Sequence, residues 1–273
     1  MADDLLLLRA RKLWAELAGA PVEFCPPAPS GGAKVVVAPG SQLCPPSWTG
    51  FVRIGDAALV TAPSVQAARM VDDATKKMTH KEVVDIARLR AVLPVLDVLG
   101  PASLFYLGRE DFLPAHGGTD VEQLPIGDRG LAALLALAGE EEAGESGLED
   151  ISSPAFCLRR GDAVVAAAGY RSWPQSVAHL SVLVSPHCRG RRLARAVASA
   201  AVAHALGAGL LPQWRARLQP SQRVAVALGF HELGAQLSVR LGDVSLGRHG
   251  NDAGQHRGSS ADCAATGQSR RVW

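Results

Sequence analysis

The sequence predicts a mixed α/β fold in one large domain or two smaller ones, on three observations. The chain has 273 residues, 48% hydrophobic and 20% charged, with a formal net charge of +2. That composition belongs to a chain that buries a core, not to a disordered one. Strand-length apolar runs interleave with segments whose apolar residues recur at helical spacing. Gly/Pro-rich breaks separate these segments throughout.

The elements follow in order. Residues 5–17 carry Leu6, Leu13, Trp14 and Leu17 at helical spacing and stop at Gly19. A Pro/Gly/Ser-rich loop covers 26–32, and Lys34 with three valines predicts a buried strand over 34–38. Residues 51–54 and 57–61 predict a hairpin around Gly55 and Asp56. Pro63 and Ser64 open a helix into the low seventies, a second helix covers 81–93, and 103–107 is a further strand. Pro114, Gly117 and Gly118 mark 113–119 as a linker. A short strand at 121–124, a helix at 130–137 and an acidic helix-loop come next. Strands at 156–160 and 163–170 turn at Gly161 and Asp162, and a third runs over 178–184 to Pro186. A helix at 190–206, with Leu193, Val197, Ala201 and Ala205 or Leu206 as its buried stripe, leads to a strand at 213–218. A helix at 221–228 and a strand or hairpin at 230–241 follow, and residues 246–273, polar and Gly-rich, predict a disordered tail. The expected organisation is thus an N-terminal α/β domain over 1–115, a second domain over 116–242 and a tail from 243.

Composition excludes several classes. No run approaches the roughly 18 apolar residues that span a bilayer. The run Leu5 to Leu8 follows Asp3 and Asp4 instead of a basic lead, so a soluble, cytoplasmic protein is expected. Five scattered cysteines without a C-x-x-C pair, and histidines without H-E-x-x-H, give no metal expectation.

Charge placement is more informative. From Ala163 to His231 there is no acid, yet there are eight arginines, which predicts a strong positive field. Immediately upstream, Glu140, Glu141, Glu142, Glu145, Glu149 and Asp150 crowd into one segment. The basic stretch lacks interleaved aromatics, which argues against nucleic-acid binding.

Four of the arginines, Arg189, Arg191, Arg192 and Arg195, gather about Gly190 where a strand gives way to a helix. Such a turn offers unpaired backbone N–H groups and the positive end of a helix dipole, a natural seat for pyrophosphate. Gly190 permits close backbone approach. The stretch Val182 to Arg195, followed by Ser221 to Phe230 with its Leu-Gly-Phe end, resembles the cofactor motif of the GNAT superfamily of acyl-CoA-dependent N-acetyltransferases. The resemblance covers about 121–241. It implies a GNAT-like central mixed sheet flanked by helices, with the N-terminal half an added α/β domain compatible with a degenerate copy. It also implies acetyl-CoA as cosubstrate and a primary amine of a small molecule or protein as acceptor.

Carried over by residue, the pattern Arg/Gln-x-x-Gly-x-Gly/Ala falls on Arg189, Arg192 and Ala194, so Arg192 replaces a glycine. The resemblance assigns CoA contacts to Leu183, Val184, Arg189, Gly190, Arg191, Arg192, Leu193, Ala194, Arg195 and Ser221. Arg192 is expected to offer its N–H in helical geometry with its side chain outward, and the strand at 178–184 to splay from the next. The usual tyrosine acid falls on Ala225. His179 is the base candidate, since an ordinary imidazole titrates near 6.5, and Glu145 is the second. A strand histidine and a solvated acidic face are the competing readings of these two. Trp173 is the candidate acceptor wall, Trp214 a core residue, and Cys188 an incidental loop cysteine. The alternative to an enzyme is a catalytically weak CoA-binding sensor or interaction module, which Ala225 and Arg192 favour. The first half is expected to cover the sheet, shape the acceptor pocket or form a homodimer.

Overall fold

The computed structural model describes residues 2–24, 32–115, 121–174 and 176–242. The predicted tail, residues 26–31 of the first loop and 116–119 of the linker lie outside the described residues. In chain order the elements are α1 (Ala2–Leu17), β1 (Lys34–Val37), β2 (Thr49–Ile54), β3 (Ala57–Ala62), α2 (Val65–Thr75), α3 (Ile86–Val92) and β4 (Val95–Tyr106). Then come β5 (Glu122–Leu124), α4 (Arg129–Ala138), α5 (Glu140–Ser146), β6 (Ala155–Arg160), β7 (Ala163–Ser172) and β8 (Val177–Val184). The described residues close with α6 (Leu193–Gly207), β9 (Leu211–Ala216), α7 (Gln219–Ala227) and β10 (His231–Leu241).

Local chemistry sets the helix starts. Ser64 accepts from the Ala67 N–H, and Asp128 from that of Gly130. Asp85 accepts from Ala87 and Arg88, which divides the helix expected at 81–93 into a short turn and α3.

The ten strands of the described residues form one mixed sheet in the order β1-β3-β2-β10-β4-β9-β8-β7-β6-β5. Strands β5 to β8 make an antiparallel meander, and β8 runs parallel to β9 through the crossover helix α6. Two placements go beyond the sequence reading. Strand β10 inserts between β2 and β4, and β4 pairs with β9, so one sheet crosses the boundary proposed near residue 115. Strand β4 also starts eight residues earlier than expected. Gly100 and Pro101 fall in this added stretch, where β4 pairs with β10 alone, and proline is tolerated on an unpaired strand side. The predicted buried strand at 34–38 is instead a partly exposed edge, paired only with β3.

Helices cover both faces. One face packs against α1 through Val52, Ile54, Leu59, Leu104, Tyr106, Val177 and Leu211, and against α4 through Leu131, Leu134 and Leu183. The opposite face packs Ala178, Leu180, Trp214 and Ala216 against α6. It also packs Phe51, Val60 and Leu237 against α2 and α3. The stripe expected on α6 is buried at Val197, Ala201, Ala205 and Leu206, joined by Ala198 and Val202. Burial of this kind is worth about 1.5–3 kcal/mol per large apolar side chain.

Candidate functional site

Strands β8 and β9 are paired only where Val177, Ala178 and His179 face Leu211, Pro212 and Gln213. Beyond this apex β8 stays paired to β7 through Val184, and β9 to β4 through Ala216. The two therefore diverge, as expected, and residues 180–184 have no strand partner on the β9 side. Leu183 is buried against α4, while Val184 packs on the α6 side. Both are core residues by side chain, and their backbone edge faces the opening.

The opening leads to the turn before α6. This helix starts at Leu193, three residues later than predicted, because Gly190 (φ 75°) and Arg192 (φ 61°) occupy left-handed conformations. The expectation that Arg192 would be helical is thereby corrected. It is the residue flanking the helix, in a conformation that costs a non-glycine residue about 1 kcal/mol. A glycine at this position would meet no such cost. Nothing lies within 4 Å of where a Cβ on Gly190 would point. Among the described residues, no backbone carbonyl accepts from the N–H groups of residues 189–195. The turn thus presents a run of free donors at the positive end of a fifteen-residue helix.

The arginines divide. Arg189 is ion-paired with Glu142 of α5. Arg217 donates to Glu145 at 3.1 Å, and Arg171 lies 4.0 Å from Asp150. The acidic segment thus lies against the basic stretch and neutralises part of the predicted field. Arg191 lines a cavity with Leu158, Arg159, Arg160, Val165, Cys188 and Leu193, where Cys188 is buried. Arg195 has a buried Nε with no partner among the described residues. Ser221 Oγ accepts from Trp214 Nε1 at 3.0 Å, which fixes the indole in the core. Leu193 packs on the α6 core, and Ala194 is half-buried in the first helical turn.

At the apex, alternation along β8 and β9 puts His179, Gln213 and Arg215 on the face that carries α1, α4 and α5. His179 Nδ1 is hydrogen-bonded to the amide oxygen of Gln213. An amide oxygen only accepts, so the proton sits on Nδ1 and the Nε2 lone pair is free. Burial, with the Arg215 and Arg171 charges, pulls the imidazole from 6.5 down to about 4, so it is neutral at pH 7. The Trp173 ring packs against it at 5.0 Å and meets Trp14 of α1 edge-on at 5.7 Å. Trp14 Nε1 donates to the Tyr106 hydroxyl at 2.6 Å, and burial pushes that phenol up. Gln213 is fully buried, and its Nε2 has no partner among the described residues.

Of the predicted site residues, the structure brings His179 and Trp173 together. Glu145 pairs instead with Arg217, just past the end of β9. Ala225, at the tyrosine position, is fully buried. The sequence reading missed Trp14, Tyr106, Gln213 and Arg215. The parity of Arg215 against the apolar Trp214 could have placed it on the His179 face.

Comparison with known proteins bears on this geometry. Residues 153–235, from just before β6 into β10, match the family model of GNAT acetyltransferases. The resemblance read in the sequence is thus shown over the segment holding the diverging strands and the turn. Similar solved structures include a GNAT-family protein from Novosphingobium aromaticivorans DSM 12444, 22% identical over 53% of this chain and 65% of that one, with a TM-score of 0.44. A GCN5-related N-acetyltransferase from Kribbella flavida is 17% identical over 59% of this chain and 64% of that one, with a TM-score of 0.45. A GNAT-family acetyltransferase from Colwellia psychrerythraea is 16% identical over 55% of this chain and 59% of that one, with a TM-score of 0.42. This chain spans less than two thirds of the length of each. No curated protein matches it. Among the described residues, no helix is long and apolar enough to cross a membrane, and no His/Cys/Asp/Glu group could hold a metal ion.

Proposed function

We propose that this protein is an N-acetyltransferase that moves the acetyl group of acetyl-CoA to a primary amine by direct attack. The observation that carries the reading is the separation of β8 from β9 beyond His179, opening onto the unpaired N–H groups around Gly190. Three features support a fit to CoA. The free edge of residues 180–184 suits the pantetheine amides, the turn suits a pyrophosphate, and Arg192 and Arg195 add charge without an ion-paired carboxylate among the described residues. Arg189 reaches a phosphate only by leaving Glu142.

The acetyl thioester supplies the acyl group. The amine nitrogen bonds to the carbonyl carbon as the carbon–sulfur bond breaks, a proton leaves the nitrogen, and the departing thiolate takes one up. His179 is the group for the first proton: its Nε2 is unprotonated and its ring is held by Gln213 and Trp173. Its low basicity means that the amine must enter neutral or lose its proton to water through the imidazole. With Ala225 at the tyrosine position, the thiolate takes its proton from water. Trp173 walls the acceptor end and is backed by the fully buried Trp14, so α1 of the N-terminal half helps position that wall.

Ala225 and the Glu142–Arg189 pair favour a second reading, a CoA-binding module without turnover. Thiol release from acetyl-CoA in the presence of an amine panel separates the two. Amine-dependent release with formation of an N-acetyl product is expected of the enzyme. Binding of acetyl-CoA without any such release would establish the module.

A further inference from the structure

We infer that the acceptor amine carries an anionic group, a carboxylate in the first instance, and that Arg215 receives it. This rests on the acetyltransferase reading and adds a substrate class to it.

Arg215 lies on β9 two residues past Gln213, on the same sheet face as His179, beside the point where the strands separate. It is half-buried, and burial with the Arg217 charge pulls its guanidinium down to about 10. It still carries its proton at pH 7, as a charge withdrawn from water. Such a cation is usually matched by a carboxylate. Among the described residues none is ion-paired with it. Glu145, the acid whose field it feels, is taken by Arg217 at 3.0 Å, and the hydrogen bond made by Arg215 goes to the neutral Gln236 Oε1 at 3.2 Å. Gln236 is itself anchored, donating to the Leu43 carbonyl at 2.6 Å. The guanidinium is thus positioned by a neutral amide, with charge and donors to spare.

The surroundings reinforce the sign. Arg215 and Arg171 both lower the basicity of His179, so the neutral imidazole lies within reach of their positive charge. A simple cationic amine would be repelled there. An amine with a carboxylate offers compensation, and the planar guanidinium fork matches a carboxylate in a two-point contact. A phosphate offers the same anionic chemistry. Unlike the arginines of the turn, Arg215 lies on β9 two residues past Gln213 of the apex, at the end of the opening where the reacting amine and not the pyrophosphate belongs.

The test compares acceptors with and without an anionic group, at a pH where both amines of a pair are partly neutral: α-amino acids beside their carboxamides, and O-phosphoethanolamine beside ethanolamine. Thiol release gives kcat and KM, and thermal unfolding with acetyl-CoA reports cosubstrate binding separately. The expected result is a preference of at least about tenfold in kcat/KM for the anionic member of each pair. Amino acids favoured over their amides would place a carboxylate in the site; preference confined to the phosphate pair would place a phosphate there and overturn the carboxylate assignment. Arg215→Gln should raise KM for the anionic amines about tenfold or more and erase the preference. Arg215→Lys should restore part of it, and both variants should keep the shift with acetyl-CoA. Equal use of amides and acids, or an unchanged preference in Arg215→Gln, would overturn the inference and leave the acetyltransferase reading standing. Acetyl-CoA binding without turnover of any panel amine would also overturn it. Failure of the wild-type protein to bind acetyl-CoA would overturn the underlying reading instead.

Discussion

Two seams of the same sheet behave in opposite ways. Strand β10 lies against β4 from Tyr106 to Val95, through three register shifts, with β2 on its other side. Strand β9 lies against β8 for only three residues and then leaves it. In the first seam the last of the described strands is embedded in the first half, so distant parts of the sequence hold each other. In the second, backbone hydrogen bonds are given up where a ligand is expected, and side chains at the apex take over the cohesion. Unpaired backbone is costly when buried, so a protein leaves it where something else can fill the gap.

The largest expected effect comes from damaging the tight seam. A Cβ on Gly234 would lie 1.8 Å from the Arg53 carbonyl oxygen, so Gly234→Ala must push β10 away from β2. We expect a loss of about 3–4 kcal/mol, measured by denaturant unfolding, with a single transition for the whole sheet. Two separate transitions, or no change, would break the claim that the seam joins the halves.

Next is the apex. The imidazole of His179 is held near 4 when folded and titrates near 6.5 when unfolded. Between those values the unfolded chain binds the extra proton, so stability is full above about 6.5 and falls as pH drops toward 4. The loss is up to about 3 kcal/mol. His179→Gln should flatten that part of the stability–pH curve. The same shift predicts no acid limb near 6.5 in kcat/KM arising from this residue. A limb there that vanished in His179→Gln would contradict the buried, neutral imidazole.

In the open seam, Gly190→Asp places a carboxylate in the space before the turn and should weaken acetyl-CoA binding about a hundredfold, roughly 2.7 kcal/mol, read by calorimetric titration. Unchanged affinity would exclude the turn. The smallest effect is Arg192→Gly. It relieves the left-handed strain and should stabilise by up to about 1 kcal/mol, offset in part by the added freedom of the unfolded chain. A destabilised variant would show that the arginine side chain does more than tolerate its backbone.

Legibility of the fold follows the range of the interactions. Helical spacing, Ser64 at a helix start, and the turn at Gly161 announce their elements because the forces act within a few residues. Insertion of β10 beside β2 depends on partners some 180 residues away, and nothing in the local pattern of 231–241 records it. Within the site, the turn was legible because glycine and arginine mark it directly. The left-handed backbone at Arg192 was not, since an arginine there reads as an ordinary first-turn residue. The pairing of the acidic segment with Arg171, Arg189 and Arg217 was written as two opposite charge runs, but their contact is a tertiary fact. Gln213, Tyr106 and Trp14 were silent for a similar reason: each becomes polar machinery only when three elements meet.

The most direct test is thermal unfolding of the intact protein with acetyl-CoA, with adenosine alone as the control. At about 100 times its dissociation constant, a ligand stabilises by about 2.7 kcal/mol, which for a chain of this size raises the midpoint by roughly 5–10 °C. That rise is expected with acetyl-CoA, none with adenosine, and its loss in Gly190→Asp. No rise at millimolar acetyl-CoA would mean that the diverging strands and their turn are not a CoA site.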